Sequence, residues 1–164
     1  MPVLGGLILA LVTLQRLGEL VLARRNTARL LARGAREVAP GHYPLIVLLH
    51  AAWLIGLWLL VVGYGHGDVS WPWLAVFLVL QALRVWVIAT LGERWTTRIV
   101  VLPGAPLVRR GPYRFLAHPN YAVVAGEILV LPLAFGLVWF GVVFSLLNAA
   151  VLWMRVRAEG GALR

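Results

Sequence analysis

Apolar residues run along the chain in long blocks that alternate with shorter polar stretches. Each block is predicted to form a membrane helix, because about 20 apolar residues cross the hydrocarbon core of a bilayer. Pro132 and Gly136 interrupt the last block, which therefore predicts a helical hairpin with two rather short arms. The pattern predicts an all-α, polytopic transmembrane helix bundle in a single domain over residues 1–164, with five spans at residues 2–23, 44–62, 71–91, 121–135 and 137–155.

The composition indicates that the surrounding solvent is lipid. Of the 164 residues, 62% are hydrophobic and only 13% are charged, and the mean hydropathy is +0.89. A soluble domain of this length could not bury so much apolar surface. The chain has no cysteine, which excludes a disulfide framework, a thiolate nucleophile and a cysteine-based metal site. We predict no bound metal.

The net charge of +9 comes entirely from arginine, because the chain has no lysine. The positive-inside rule assigns the basic segments 24–42, 92–119 and 155–164 to the cytoplasm, and residues 63–70 and the bend near 136 to the outside. The same rule and anionic lipid headgroups explain the arginines, so membrane lipids are expected partners and nucleic acid is not. We expect a bacterial inner membrane protein whose active site faces the cytoplasm.

Charged residues, which are costly in lipid, lie inside three of the apolar blocks. Arg16 and Glu19 are i,i+3 neighbours that can pair; they either snorkel at the cytoplasmic end or line a polar cavity. Gln81 and Arg84 form a second such pair, and Arg84 is expected to face protein or water. Glu127 lies about two turns into the fourth span. Its expected partner is Arg84 or Arg16.

The polar stretch RRGPYRFLAHPNY, residues 109–121, lies between two apolar blocks. Gly111-Pro112 predicts a turn, because glycine tolerates positive φ and proline fixes its own φ. His118-Pro119 predicts the start of a helix, since proline disfavours helix at the preceding residue and suits a first turn. Composition alone favours a basic loop between two membrane helices. The alternative is a cofactor pocket built from a rigid turn, aromatic faces and one imidazole.

The predicted hairpin brings a second polar group to this stretch. Arg155 and Glu159 are i,i+4 neighbours on the helix that leaves the fifth span. Because the fourth and fifth spans form a hairpin, their cytoplasmic ends lie side by side. An imidazole, two tyrosines, an arginine and a carboxylate are therefore predicted to converge where the membrane meets the cytoplasm. A lipid-soluble substrate would enter there from the bilayer, and a polar cofactor would enter from the water.

These motifs carry a resemblance to a known family. GPYRFLAHPNY followed by an apolar helix, and then a helix that closes with R-V-R-A-E-x-x-A-L, resembles the isoprenylcysteine carboxyl methyltransferase family of integral membrane enzymes. The likeness covers about residues 93–163, with weaker matches at 16–20 and 24–26. It is closest to a bacterial branch linked to O-methylation of long-chain alkylpyrones and alkylresorcinols. The resemblance implies an O-methyltransferase that depends on S-adenosylmethionine.

The resemblance also implies roles for individual residues. Glu159 would accept a hydrogen bond from the ribose or the amino group of S-adenosylmethionine, and Tyr113 would pack against its adenosine. Arg155 would face the acceptor, and Arg98 is a further candidate. The other cofactor-binding residues that the resemblance implies are Ala105, Pro106, Leu107 and Val108, which would line the adenosine, and His118, Pro119, Asn120 and Tyr121, which would form the floor of the site.

The chain departs from the family pattern at two positions. Gly160-Gly161 follow Glu159, where the family usually has a second glutamate, and Glu127 stands where prenylcysteine enzymes tend to be aromatic. Both departures bear on the prenylcysteine substrate more than on methyl transfer. The expected function is therefore O-methylation of a long-chain phenolic or pyrone lipid. The alternatives are an isoprenylcysteine-type carboxyl methyltransferase and a non-catalytic membrane scaffold or lipid-binding protein.

Methyl transfer from a sulfonium asks mainly for alignment of the reacting atoms. A carboxylate acceptor needs only an arginine to hold it, for which Arg155 is the candidate. A phenol or pyrone enol must also lose a proton. His118 and Glu127 are the candidate bases, and packing against the cofactor is the other role open to His118. The small residues expected to leave room for an alkyl chain along the fourth span are Ala122, Ala125 and Gly126.

Overall fold

A computed structural model describes residues 2–66 and 68–162, and within these residues the chain forms five α-helices. The predicted helical membrane bundle is confirmed, because four helical stretches are long and apolar enough to cross a membrane: Val3–Ala32, Pro40–Gly63, Trp71–Arg94 and Val138–Ala162. The helices are α1 (Pro2–Ala32), α2 (Tyr43–Trp58), α3 (Trp71–Leu91), α4 (Pro119–Ala134) and α5 (Val138–Ala162).

The shortest helical stretch is α4. It has 16 residues and a rise of about 24 Å, less than the ~30 Å hydrocarbon core of a bilayer. By contrast, a 3₁₀ turn at Pro40–His42 and a π turn at Leu59–Gly63 extend α2 at its two ends. α4 packs against both α3 and α5. Its buried residues are Pro119, Val123, Val124, Glu127, Ile128, Val130, Leu131, Pro132 and Ala134.

Pro132 lies inside α4 without ending it. Proline has no backbone N–H, so the carbonyl four residues earlier, that of Ile128, loses its helical donor. Nε1 of Trp53 donates a hydrogen bond to this oxygen at 3.1 Å, and the Trp53 side chain is only 2% exposed. The indole of α2 therefore replaces the missing donor of α4. In lipid an unpaired carbonyl would cost several kcal/mol.

The bend between α4 and α5 lies at Gly136, as predicted. Gly136 has a φ of +71°, in the left-handed region that favours glycine. The N–H of Leu137 donates to the carbonyl of Pro132 at 2.9 Å, and the N–H of Gly136 donates to that of Leu133 at 3.0 Å. This pair of bonds is a Schellman motif, which satisfies the last carbonyls of α4. The hairpin places the first turn of α4 beside the far end of α5.

Two helices extend beyond the predicted spans. α1 continues past residue 23 to Ala32, and α5 continues past residue 155 to Ala162, so that it includes Glu159, as the i,i+4 spacing predicted. Residues 24–32 contain no proline or glycine and consist mainly of arginine, alanine and leucine, which are strong helix formers. The predicted linker 24–42 therefore begins as helix, and α5 is a long arm of the hairpin.

The sequence did not predict a small β-ribbon next to the helices. Strand β1 (Arg36–Glu37) pairs with strand β2 (Val100–Val101) in an antiparallel ladder, with Arg36 opposite Val101. The N–H of Val38 also donates to the carbonyl of Ile99 at 2.8 Å. The ribbon joins the segment after α1 to the long loop after α3. It therefore fixes the middle of that loop.

Candidate active site

The start of the loop over residues 92–118 is anchored to α1. After α3 a short 3₁₀ turn leads to Trp95, which is 2% exposed. Nδ2 of Asn26, on α1, donates hydrogen bonds to the carbonyl oxygens of Gly92 (3.2 Å) and Trp95 (2.8 Å). The Asn26 side chain is itself buried. A buried amide that satisfies two carbonyls holds the loop in one position against the helices.

The predicted glycine-proline turn is present in the second half of the loop. Residues Gly111–Arg114 form a 3₁₀ turn, and Gly111 has a φ of +57°. Space also requires glycine here, since a Cβ would lie 2.5 Å from Oγ1 of Thr90. The turn therefore lies directly against the end of α3. Tyr113, within the turn, packs against a buried cluster that includes Trp95.

The polar residues that the hairpin was predicted to bring together are in contact. α4 begins at Pro119, so His118 precedes the helix and Tyr121 lies in its first turn. The Tyr121 hydroxyl donates a short hydrogen bond to Glu159, whose Oε2 lies 3.3 Å from Nδ1 of His118. Nε of Arg155 donates to the Tyr121 hydroxyl at 3.4 Å. We call His118, Tyr121, Arg155 and Glu159 the loop-end cluster.

Neighbouring groups hold this cluster in place. The rings of His118 and Tyr121 are stacked, with centroids 5.3 Å apart. Arg155 is only 5% exposed, and its Nη2 donates to the carbonyl of Thr97 at 2.9 Å. Burial raises the pKa of the nearby Tyr113 hydroxyl to about 12, and the negative charge of Glu159 adds to this rise. Tyr113 therefore keeps its proton at neutral pH and remains a hydrogen-bond donor.

A cavity of about 850 Å³, which we call the central cavity, extends from the loop-end cluster to α1 and α2. This volume lies within the range of small-molecule binding sites. Pro119 is buried at the start of α4, outside the lining, and there it begins the helix. The predicted site residues that do line the cavity are Ala105, Pro106, Leu107, Val108, Tyr113, His118, Asn120, Tyr121, Arg155 and Glu159.

Arg98, the further candidate, also lines the central cavity. Its Nη1 donates to Oε1 of Glu37 in β1 at 2.8 Å. Its guanidinium lies 4.1 Å from the ring centroid of Tyr43, at the start of α2, a cation–π contact. Arg98 is therefore held between the β-ribbon and α2.

The ionisable residues inside the helices form a second polar group, which we call the intramembrane network: Arg16, Glu19, Arg84 and Glu127. Arg16 contacts Glu19 at 3.2 Å and Glu127 at 2.8 Å. Arg84 contacts the same two carboxylates at 2.5 and 2.9 Å. Both expected partners of Glu127 are therefore confirmed. Two positive and two negative charges balance, which lowers the cost of placing them in lipid.

Glu127, one of the two candidate bases, is enclosed by the intramembrane network. It is 2% exposed and does not line the central cavity. Besides the two arginines, Nε2 of Gln81 donates to its Oε1 at 2.7 Å. Both of its oxygens are thus engaged by donors. The role that this geometry supports is structural.

The alkyl-chain space expected along α4 is absent at Gly126. A Cβ at this position would lie 3.0 Å from Cδ2 of Leu80, because α3 packs closely here. Ala122 and Ala125 are exposed and lie outside the cavity lining. The central cavity instead reaches the outer surface between α1 and α2. Leu17 of α1 and Val47 of α2 line it and are 54% and 44% exposed, respectively.

The side of the cavity formed by α2 was not predicted from the sequence. Tyr43, His50 and Trp53 line it, and the Tyr43 hydroxyl accepts a hydrogen bond from Thr97 at 3.3 Å. One signal was available, because a histidine inside an apolar span is costly and is a candidate functional residue. No local pattern in the sequence indicated that Trp95 is buried, since its burial depends on the contact between the loop and α1.

Polar groups without partners in the described structure fit a polar ligand in the cavity. Oδ1 of Asn120 and Nε1 of Trp95 are buried, have no hydrogen-bond partner and belong to residues that line the cavity. Buried polar groups are normally satisfied, and a polar ligand with a donor and an acceptor would satisfy both of these groups. S-adenosylmethionine carries amino, hydroxyl and carboxylate groups, and it fits this requirement.

Comparison with known proteins gives an independent result. The sequence model of the isoprenylcysteine carboxyl methyltransferase (ICMT) family matches residues 73–164. These residues include the end of the bundle that holds the loop-end cluster. No solved structure matches the chain.

Two curated relatives match over most of their length. "Uncharacterized protein YpbQ" of Bacillus subtilis (strain 168) is 40% identical over 161 residues, which cover 96% of this chain and 95% of the relative. An "Uncharacterized protein" of Haemophilus influenzae (strain Rd) is 24% identical over 151 residues, covering 90% of this chain and 88% of the relative. The similarity therefore includes α1 and α2, which precede the family match.

Proposed function

This chain belongs to the isoprenylcysteine carboxyl methyltransferase family, and from that premise we propose that it is an S-adenosylmethionine-dependent O-methyltransferase of a lipophilic acceptor. One observation carries the proposal. The central cavity is lined at once by the loop-end cluster and by apolar residues of α1 and α2. A polar cofactor and an apolar acceptor can therefore occupy one continuous space.

The cofactor end of this space is polar and organised by the loop. Glu159 accepts hydrogen bonds and lies 23% exposed at the cavity, so it can take one from a ribose hydroxyl or an amino group. Asn120 and Trp95 offer an acceptor and a donor without partners of their own. The flat rings of His118 and Tyr121 provide a stacking surface. S-adenosylmethionine, when bound, supplies an electrophilic methyl carbon.

The acceptor end supports an amphiphilic lipid. The opening between Leu17 and Val47 faces the lipid side of the bundle, which suits an alkyl chain. Arg155 is held by Thr97 and Tyr121 at the inner end, where a positive charge can orient an acidic oxygen. Such residues accelerate transfer mainly by fixing the oxygen in line with the methyl carbon. We infer a long-chain phenolic or pyrone lipid as the acceptor.

We also propose that α4 completes a fifth span and that the loop end of the bundle faces the cytoplasm of a bacterial inner membrane. The basic segments support this orientation through the positive-inside rule. A cysteine at Asp68 should react with an impermeant maleimide in intact cells, whereas one at Arg109 should not. Labelling of Arg109 alone would reverse the orientation.

Two experiments on the purified protein test the function. Calorimetric titration with S-adenosylhomocysteine should show binding, and Arg33→Ala should bind equally well, since Arg33 is exposed and lies outside the central cavity. Tritiated-methyl transfer from S-adenosylmethionine should then favour an alkylresorcinol or alkylpyrone over farnesylcysteine. Preference for farnesylcysteine would establish the carboxyl methyltransferase alternative. Absence of S-adenosylhomocysteine binding would favour a non-catalytic scaffold or lipid-binding protein.

A further inference from the structure

His50 is a polar residue in the apolar interior that neither the cofactor end nor the intramembrane network uses. It lies in α2, seven residues after Tyr43, which corresponds to about 10 Å along the helix. The side chain lines the central cavity. It therefore lies on the acceptor side of the cavity, deeper among the helices than the residues that contact the loop.

The hydrogen bonding of His50 determines which ring nitrogen is free. Its Nδ1 lies 2.8 Å from the carbonyl oxygen of Ile46. A carbonyl only accepts, so Nδ1 carries the hydrogen and a neutral ring keeps an unprotonated Nε2. Among the described residues, no hydrogen-bond partner meets Nε2. The imidazole is thus oriented by its own helix and presents a free lone pair.

The charges near this ring suit an acidic hydroxyl. Those that act on His50 come from three different helices: Arg16 of α1, Arg84 of α3 and Glu127 of α4. Arg16 and Arg84 both line the cavity with His50 and contact Glu127, and Arg16 has the more exposed side chain of the two, at 18% against 7%. A negative charge that develops on an acceptor oxygen beside His50 would be stabilised by this guanidinium.

We propose that His50 is the group that removes the acceptor's proton, a role that rests on the proposed function. The acceptor hydroxyl, a phenol or an enol, donates its hydrogen bond to Nε2 of His50. As an electron pair of that oxygen forms the bond to the methyl carbon, the carbon–sulfur bond breaks and its pair returns to sulfur. The hydroxyl proton moves to Nε2, which leaves an imidazolium, a methyl ether and neutral S-adenosylhomocysteine. His118 would then serve the cofactor end of the cavity, where it contacts Glu159.

The alternative is a purely structural histidine, because an i→i−4 bond to a carbonyl satisfies a buried ring by itself. His66 provides the matched control. Its Nδ1 also lies close to a backbone carbonyl, that of Leu60 at 3.3 Å, but the residue is exposed and lies outside the cavity lining.

The first test uses His50→Ala with an alkylresorcinol as acceptor. We expect kcat to fall by about 100-fold or more, the range of general-base catalysis, with KM and S-adenosylhomocysteine affinity within a few-fold of wild type. Added imidazole should restore a substantial part of the rate, whereas His66→Ala should behave as wild type. Full activity in His50→Ala, or a loss of rate that imidazole does not restore, would overturn the proposal.

The second test measures contact between His50 and the acceptor without cofactor, so it does not depend on turnover, and a variant is used only to assign the resonance. In protein labelled with ¹⁵N-histidine, one unprotonated Nε2 resonance should disappear in His50→Gln and should shift when the alkylresorcinol is added. An unshifted resonance would exclude contact between His50 and the acceptor. If the resonance shifts but wild-type protein transfers no methyl group, the contact stands and the proposed function fails.

Discussion

The intramembrane network and the loop-end cluster contain the same kinds of charged groups, but they differ in how completely those groups are satisfied. Each carboxylate of the network meets two arginines and a glutamine amide, and Glu127 is 2% exposed. In the loop-end cluster, Glu159 meets one tyrosine and one histidine, and its side chain is 23% exposed. Arg16, Glu19 and Arg84 also line the central cavity, but the carboxylates of the network are the more completely paired, whereas Glu159 retains hydrogen-bonding capacity at the cavity.

This difference predicts different roles for the two groups: a structural role for the intramembrane network and a binding role for the loop-end cluster. An ionisable residue in a membrane helix is a candidate functional residue, and Glu127 met that description in the sequence. Its contacts instead link α1, α3 and α4, which is a structural role. Free hydrogen-bonding capacity next to a cavity, rather than charge in lipid, is what distinguishes Glu159 and Asn120. Substitutions in the two groups should therefore have different effects.

The largest effect is expected from Glu127→Ala. This change leaves two arginines with one carboxylate in a buried site, and breaking such a group typically costs about 3–5 kcal/mol of unfolding free energy. Denaturation of the protein in detergent, followed by circular dichroism, measures the loss. Glu93→Ala is the control, because Glu93 is 64% exposed with arginine contacts at 3.7 Å, and it should change stability by about 0.5 kcal/mol or less. Equal losses of unfolding free energy in the two variants would mean that water reaches the network.

The next effect concerns binding rather than stability. His118→Ala and Glu159→Ala should each weaken S-adenosylmethionine binding by about 1–3 kcal/mol, the cost of leaving polar partners unsatisfied. Calorimetric titration measures this change. Arg157→Ala is the matched control on α5, since its guanidinium stacks on Trp153 at 3.9 Å and lies outside the cavity lining. Wild-type affinity in both cluster variants would refute the assigned cofactor site.

A smaller effect is expected at the turn that supports the cluster. Gly111→Ala places a Cβ 2.5 Å from Oγ1 of Thr90 and also strains a positive φ. Gly104→Ala shares only the strain, because no atom lies within 4 Å of its Cβ position. We expect Gly111→Ala to be less stable than Gly104→Ala by about 1–2 kcal/mol in thermal unfolding. Adding Thr90→Ala should remove most of the difference; an unchanged difference would exclude the contact as its cause.

The smallest effect is a dependence on alkaline pH. Burial raises the pKa of Tyr113 from 10 in the unfolded chain to about 12 in the folded protein. Its stabilising contribution is therefore complete below pH 10 and is lost as pH rises from 10 to 12. Tyr113→Phe should lose less stability than wild type across this window, by about 1 kcal/mol or less, since the hydroxyl is only partly buried. If the stabilities of the two proteins changed in parallel between pH 10 and pH 12, the loss could not be assigned to Tyr113.

Local signals in the sequence were enough to predict several features. Gly136 after a proline-containing helix predicted the hairpin, and the spacing of Arg155 and Glu159 then placed them beside His118. The partners of Glu127 followed from the small number of arginines within the apolar blocks. The hairpin fixes which ends of α4 and α5 lie side by side. The need to neutralise a carboxylate in lipid leaves few possible partners for Glu127.

Features that depend on packing between distant segments were not predicted. The length of α1 beyond residue 23 follows from helix propensity, but the arginines there suggested a linker. The β-ribbon joins residues about 60 positions apart, so no local pattern indicates it. Gly126 appeared to leave space, whereas Leu80 of α3 occupies that position. The role of α2 as a cavity wall follows from its contacts with α1 and the loop.

The short helix α4 has a consequence for how the protein is made. With 16 residues and a glutamate at its centre, it has a weak tendency to enter lipid from a translocon by itself. The chain is synthesised from its amino terminus, so Arg16 and Arg84 leave the ribosome before Glu127 does. The order of the helices in the sequence therefore places both arginine partners before Glu127 in synthesis.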